Sequence, residues 1–431
     1  MTYKTIFKEV PLMRRLLSTL LALALALGLC AASAETTPFA GGSGTETDPW
    51  QIATADQLLA MANAVNDGSA GGYYGAFFAL TEDIDLAGME WQPIGRMDMT
   101  DQSNVSFMFM GVFDGQGHTI SNVTFTSGDP IVGGGIFGMS LGEVKNLNAK
   151  NITVTCTNGF SNAIGAVVGY NMGMVHDVTL SGENSVTGVN CVGGIAGGNN
   201  GAVYNCSVDG TAIHVLGDND FPEGRIVQAD VAECGGLVIG GSFGGSIDNC
   251  TAKGTVTAEG NEPIALGGIA GCLEMMDTVS NCTADVTITT VNGGHAIGGL
   301  CGFGGSHSNG SIIAEAEGVV TTKYPSEIIN CSVTAVINAP GATHVGGLFG
   351  TGLYFYGEET AFKVINCTVK AEITGAVTPG AVAGRSVNSV IESCVTDATL
   401  DGEALTAETG ETAVMYESAD QGGEEAADDA A

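Results

Sequence analysis

Basic residues are scarce in this 431-residue chain: 13 Lys and Arg stand against 47 Asp and Glu, a formal net charge of −34. A surface so acidic repels phosphate backbones and anionic lipid, which argues against nucleic-acid binding and membrane-surface docking. Tryptophan occurs twice, and all aromatic residues together number 27. No HExxH word, no GxxxxGK loop and no CxxC pair occurs, which removes the usual zinc-hydrolase, nucleotide and zinc-ribbon patterns. Beyond residue 34 no apolar run approaches the ~20 residues needed to span a bilayer.

Residues 1–34 read as an export signal and are set apart from the fold. Lys4, Lys8, Arg14 and Arg15 precede a Leu/Ala run from Leu16 to Leu29, and Ala32-Ser33-Ala34 supplies a small-residue cleavage site. Leu29 occupies the place where lipidation at Cys30 requires a small residue. Cleavage leaves 9 Lys/Arg against 46 Asp/Glu, a net charge of −37. The expected form is secreted or surface-associated, with no membrane insertion. An acidic exported surface serves solubility. A hard cation such as Ca2+ is the other use of such carboxylates, with Asp218 and Asp220 in one loop and GGSGTE at 41 as the candidate ligands.

Glycine, by contrast, is abundant at 66 residues, and much of it sits in one recurring word. GGIFG at 134, GAVVG at 165, GGIAG at 193, GGLVIG at 235, GGIAG at 267, GGLCG at 298, GGLFG at 346 and GAVAG at 380 recur every 28 to 48 residues. Such recurrence means a supersecondary unit stacked on copies of itself. A second word follows each: NLN at 146, DVT at 177, NCS at 205, NCT at 249, NCT at 281, NCS at 330, NCT at 366 and SCV at 393. Its middle slot takes Leu147, Val178, Cys206, Cys250, Cys282, Cys331, Cys367 or Cys394, so that slot is apolar and inward. Alternation around it has the period of a strand.

Units of this length, holding two or three short strands, are short for a propeller blade and suit one coil of a parallel β-helix. The glycines are expected at coil corners with positive φ. Stacked coils place like residues in ladders: Asn205, Asn249, Asn281, Asn330 and Asn366 in one, the six cysteines of the second word in another. Because Leu and Val share the cysteine slot and eleven cysteines remain after cleavage, these are expected to be free thiols acting as small hydrophobes. The Asn-Cys-Ser/Thr words match glycosylation sequons but are read as corner geometry. Ahead of the repeats, Thr54 followed by ADQLLAMANAVN predicts a capped helix with Leu58, Leu59, Ala62 and Val65 inward, closing the open end of the solenoid.

GSGTETDPWQIATADQLLAMA, FALTEDIDLAGMEWQPIG, GVFDGQGHTISNVTF and the VGGIAG…NNGAVYNCSV units together resemble the GLUG-motif β-helix proteins of bacterial surfaces, from Gly42 to about Asp401. The resemblance implies a secreted or wall-associated protein, with units like those in stalks beside IgA-specific metallopeptidases, serving adhesion or structural display. The expected fold is all-β: a right-handed parallel β-helix with an N-terminal capping helix. Handedness rests on the rule for parallel crossovers and on the resemblance. The expected segments are the signal at 1–34, a cap and first coils at 35–133, the repeat β-helix at 134–401, and an acidic disordered tail at 402–431.

Two kinds of site are readable. Parallel β-helices also carry polysaccharide lyases and glycosidases, which need paired carboxylates or a base. The candidates for such chemistry are Asp114 and His118 in FDGQGH, Asp218, Asp220 and Arg225 in GDNDFPEGRI, and His295 in GGHAIGG. The preferred reading is non-catalytic. Insertions at 303–328 and 351–364 fall at the same corner of neighbouring coils and carry Phe303, His307, Tyr324, Tyr354, Phe355, Tyr356 and Phe362. Aromatic faces beside polar groups suit sugar rings or a protein partner. The expectation is therefore a binding module for a glycan or cell-surface protein with no cofactor, against a β-helix enzyme or a passive rod.

Overall fold

The computed structural model describes residues 38–67, 73, 75–95, 97, 98, 108–159, 161–217, 233–259, 265–274, 277–306, 326–354, 362–386 and 389–412. Their strands form three stacked sheets, one of 23 strands and two of nine. The coil Ala265–Thr290 shows the plan. Ala265–Gly267 forms side one, Ala270–Glu274 side two, Thr278–Ser280 side three and Thr283–Thr290 side four. Each strand lies parallel between its counterparts in the adjacent coils. Leu266 pairs with Gly235 and Ile297, Val279 with Ile247 and Ile328, and Ile288 with Val256 and Ile337. The chain is a parallel β-helix.

Four strands per coil exceed the two or three predicted, because the glycine word is itself two strands folded against each other. Its glycines answer to contact rather than to φ. Around the tight arc, an added Cβ on Gly267 would collide with the Ala270 carbonyl oxygen, and on Gly298 with that of Cys301. One strand later, a Cβ on Gly271 would stand 2.5 Å from Gly235 N, and on Gly302 it would collide with Leu266 N. Side two of each coil thus rests on side one of the coil before, backbone against backbone. The expected positive-φ glycine corners are corrected here, since Gly267, Gly271, Gly298 and Gly302 all lie outside the left-handed region.

The left-handed corner belongs instead to the second word. Asn146, Asp177, Asn205, Asn249, Asn281, Asn330, Asn366 and Ser393 all have φ between 50° and 57°. Asn and Asp tolerate this region better than other side chains do. The residue that follows turns straight into the core. Leu147, Val178, Cys206, Cys250, Cys282, Cys331 and Cys367 are all buried, alongside the side-three column Phe113, Val144, Val175, Val203, Ile247, Val279, Ile328 and Val364. Each such burial contributes about 1.5–3 kcal/mol. All eleven cysteines of the described region are free. A second, smaller cluster gathers Cys191, Cys234, Ala265, Cys272, Ala296 and Phe303.

Helix α1, Ala55–Asp67, follows the first strand, Trp50–Ile52. Thr54 Oγ1 accepts from Gln57 N at 3.3 Å while Gln57 Oε1 accepts from Ala53 N at 2.7 Å, a reciprocal cap. Leu58, Met61 and Ala62 are its buried residues. Met61 takes the place expected of Leu59, which is only half-buried. At the other end, order extends past the predicted boundary: Glu403–Ala404 pairs with Thr399–Leu400, and Thr409–Thr412 adds a strand beside Ala383–Ser386. Residues 402–412 are therefore part of the solenoid, and 413–431 lie outside the described residues.

Candidate functional site

Side three and its two corners hold the features that can meet a ligand. At the corner with side two, both aromatic insertions leave and return on neighbouring coils. Their roots are directly paired, Ser306 with Tyr354 on departure and Ser326 with Phe362 on return. Tyr324, Phe355 and Tyr356 lie outside the described residues, as do His307 and the side chain of Tyr354. Phe303 and Phe362 are corrections. Strand alternation turns both inward: Phe362 is fully buried with its ring 5.0 Å from Phe349, and Phe303 is buried in the cysteine cluster. Neither ring is available to a ligand.

At the other corner of side three runs the asparagine ladder. Asn249 Nδ2 donates to Asn205 Oδ1 at 2.8 Å, Asn366 to Asn330 at 2.8 Å and Asn330 to Asn281 at 3.4 Å. Asn281 turns aside to Asp248 Oδ1 at 2.8 Å. Asn205 donates to Asp177 Oδ1 at 3.1 Å, and there the ladder breaks, because a carboxylate has no hydrogen to pass on. Asn146 Nδ2 donates to Asp114 Oδ1 at 3.0 Å. A cavity of about 560 Å³ opens at this break, lined by Asp114, Gln116, Gly117, Asn146, Asn148 and Asp177. Its walls are rich in acceptors, which suits a ligand with hydroxyl or N–H donors.

Beside the cavity, side three stacks Lys145, His176 and Tyr204 in register. The His176 and Tyr204 rings lie 4.5 Å apart and 6° from parallel. The imidazole Nε2 is 2.8 Å from Glu143 Oε1 and Nδ1 is 2.6 Å from Asp177 Oδ2. Lys145 Nζ reaches Glu143 at 3.1 Å. Burial works to raise the Glu143 carboxyl, but bonds from His176 and Lys145 outweigh it and hold it below the ordinary range. Asp177 is lowered chiefly by the His176 bond. Tyr204 is raised by burial and by the neighbouring carboxylates. Sequence reasoning missed this cluster; the signal was present in the common offset of Lys145, His176 and Tyr204 from the second word.

The other predicted site residues are separated. Asp114 Oδ1 also accepts from Gln116 N at 2.8 Å, closing a turn. His118 stands apart from it, 3.3 Å from Asp83. His295 Nδ1 is 3.0 Å from Thr343 Oγ1, its ring set edge-on to His344, and burial pushes its pKa down to about 4. Asp218, Asp220 and Arg225 lie outside the described residues. Two G-x-S-x-G words occur, Gly138–Gly142 and Gly240–Gly244, but Ser140 is buried at the end of the strand Phe137–Ser140 and Ser242 is buried mid-strand with its hydroxyl on Asp277 at 2.6 Å, so neither is raised on a strand-to-helix turn. Among the described residues no group of three His, Cys, Asp or Glu is placed to hold a metal ion, and no helix is long and apolar enough to cross a membrane.

The GLUG motif matches residues 231–257, which take in the coil from Cys234 to all but the last residue of Thr251–Ala258. The chain carries a GLUG motif. One GLUG unit is thus one four-strand turn of this helix. The chain is 32% identical over 168 residues to halomucin of Haloquadratum walsbyi, an alignment covering 36% of this chain and 2% of halomucin. It is 33% identical over 158 residues to a Gly-rich membrane protein of Evansella cellulosilytica, covering 34% and 16%. The chain therefore spans a small part of these relatives. Among solved structures, one named as an immunoglobulin A1 protease from Bacteroides ovatus aligns over 88% of this chain and 85% of its own at 16% identity, with a TM-score of 0.39. Another, named IgA1 protease, aligns over 79% and 22% at 15% identity and 0.41. Scores at this level carry no argument about activity.

Proposed function

We propose that this chain is an exported, non-catalytic β-helix module that binds a glycan or cell-surface partner along side three. The paired roots at Ser306 and Tyr354 carry the reading, because they bring two aromatic-bearing insertions to one corner. The acceptor-lined cavity and the Tyr204–His176 stack extend the same side. The surface-type names of the two relatives support an extracellular setting. Among the described candidates, Asp114 closes a turn, His118 stands on Asp83 and His295 on Thr343, and no two of them meet, which speaks against acid–base chemistry by a pair of them.

The test is affinity electrophoresis of residues 35–431 in native gels cast with different polysaccharides, stained for protein and for polysaccharide. Slowed migration in one gel without clearing is expected. Tyr354→Ala with Tyr356→Ala should restore free migration while the circular dichroism spectrum stays unchanged. Unaltered retardation in that variant sinks the loop assignment, and a cleared track overturns the non-catalytic reading.

A further inference from the structure

Side four presents its outward face to solvent over the whole repeat region. The central outward column of that face reads Asp209, Lys253, Asp285, Thr334, Lys370, Asp397, each in register with the next and each exposed. The order of charges is self-complementary about Thr334. One coil to either side stand Asp285 and Lys370; two coils to either side stand Lys253 and Asp397. A two-fold axis running along the Ser332–Asn338 strand reverses the rod while keeping each column opposite itself. Every charge of the column within two coils of the axis then meets its opposite across it, in addition to the exposed Lys253 Nζ–Asp285 Oδ2 pair at 3.0 Å within each chain, and Thr334 meets Thr334.

The flanking columns agree. Val336, 45% exposed, meets its own copy on the axis. Threonines 283 and 368 face each other, as do 289 and 374, and Glu372 faces Thr287. Moving the axis onto Lys253, onto Asp285 or midway between Asp285 and Thr334 opposes like charges. Two of the nine basic residues beyond the signal stand in this column, in a chain whose net charge otherwise opposes self-association.

We propose that the occupant of this face is a second copy of the chain, docked antiparallel about the Ser332–Asn338 strand. Five coils at ~4.8 Å and seven residues at ~3.3 Å give roughly 550 Å² per copy, about 1,100 Å² in total. That is the low end for a specific interface, so the dimer is weak and reversible. It leaves both side-three faces on the same edge of the pair, where two weak contacts reinforce each other.

Sedimentation equilibrium of residues 35–431 at 0.15 M salt, over a wide concentration range, tests it. A monomer–dimer equilibrium is expected. Asp285→Lys places like charges opposite Lys370 at two symmetric positions and should weaken the dimer by at least about tenfold; Lys370→Asp should do the same. The double variant D285K/K370D should restore association, because each reversed charge again meets its opposite across the axis. A monomer at every concentration overturns the proposal. So does a dimer indifferent to Asp285→Lys, or a double variant no better than either single one. Unchanged thermal melting of the variants separates lost docking from lost folding.

Discussion

At the scale of single residues, two kinds of position look alike in sequence and differ in physics. Gly302 has backbone where a Cβ would go, whereas Gly117 has open space and a φ of 80°. Gly302→Ala should therefore lower stability by about 3 kcal/mol or more through overpacking, and Gly117→Ala by only about 1 kcal/mol through backbone strain. Equal shifts in thermal unfolding would contradict the assignment. Asn281 gives the converse case: its φ of 55° predicts that Asn281→Gly is tolerated better than Asn281→Val. His295 supplies a pH dependence. Burial depresses its folded pKa from 6.5 to about 4, so below pH 6.5 the unfolded chain takes up a proton that the folded chain refuses. Stability should fall between pH 6.5 and 4 for this reason, and His295→Gln should flatten that part of the profile measured by denaturant melts. An unchanged slope sinks the assignment.

At the scale of elements, strand placement and the inward slot were legible because period-two alternation and the second word recur in phase. The glycine word does turn a corner, but its glycines were misjudged as positive-φ positions because sequence records which residue is small, not what lies against it. Phe303 and Phe362 were misjudged for a related reason: Phe303 lies inside its strand in register with buried Cys272, and Phe362 opens its strand in register with buried Ser326, so the inward column claims both rings. The cavity was invisible because Asp114, Asn146 and Asp177 meet across coils rather than along the chain. The cysteine ladder is a case where both views meet. Cys206, Cys250, Cys282, Cys331 and Cys367 are buried free thiols, while Cys394 is half-buried. Thiol titration of residues 35–431 should find about one fast-reacting group in native buffer and eleven in denaturant. Cys282→Val should keep stability within about 1.5 kcal/mol, since Val178 fills the same slot; few thiols in denaturant would mean disulfides and overturn the ladder.

At the scale of the whole molecule, a solenoid is nearly one-dimensional, and its stability sums over coils and their interfaces. Its two ends are finished differently. At the amino end the first strand, Trp50–Ile52, is bridged to Gly41 and followed by α1, whose Asn66 is tied to Pro93 and Gly95. Leu58 and Met61 are fully buried there. At the carboxyl end, Ile391, Cys394 and Leu400 are only partly buried, although their counterparts one coil earlier, Val364, Cys367 and Ile373, are buried almost completely. Val395 stands 66% exposed. Among the described residues, the last coil thus has the packing of one neighbour where inner coils have two. Opening should begin there and proceed inward, one coil at a time. In hydrogen exchange, amides of Ser389–Leu400 should exchange first and those of Val144–Ile288 last. Leu58→Asp should reverse that order by unsealing the other end, while Ile391→Ala should cost far less than the about 2–5 kcal/mol expected of Ile288→Ala. Uniform protection along the rod, with Ile391→Ala and Ile288→Ala costing the same, would show that the coils unfold as one unit.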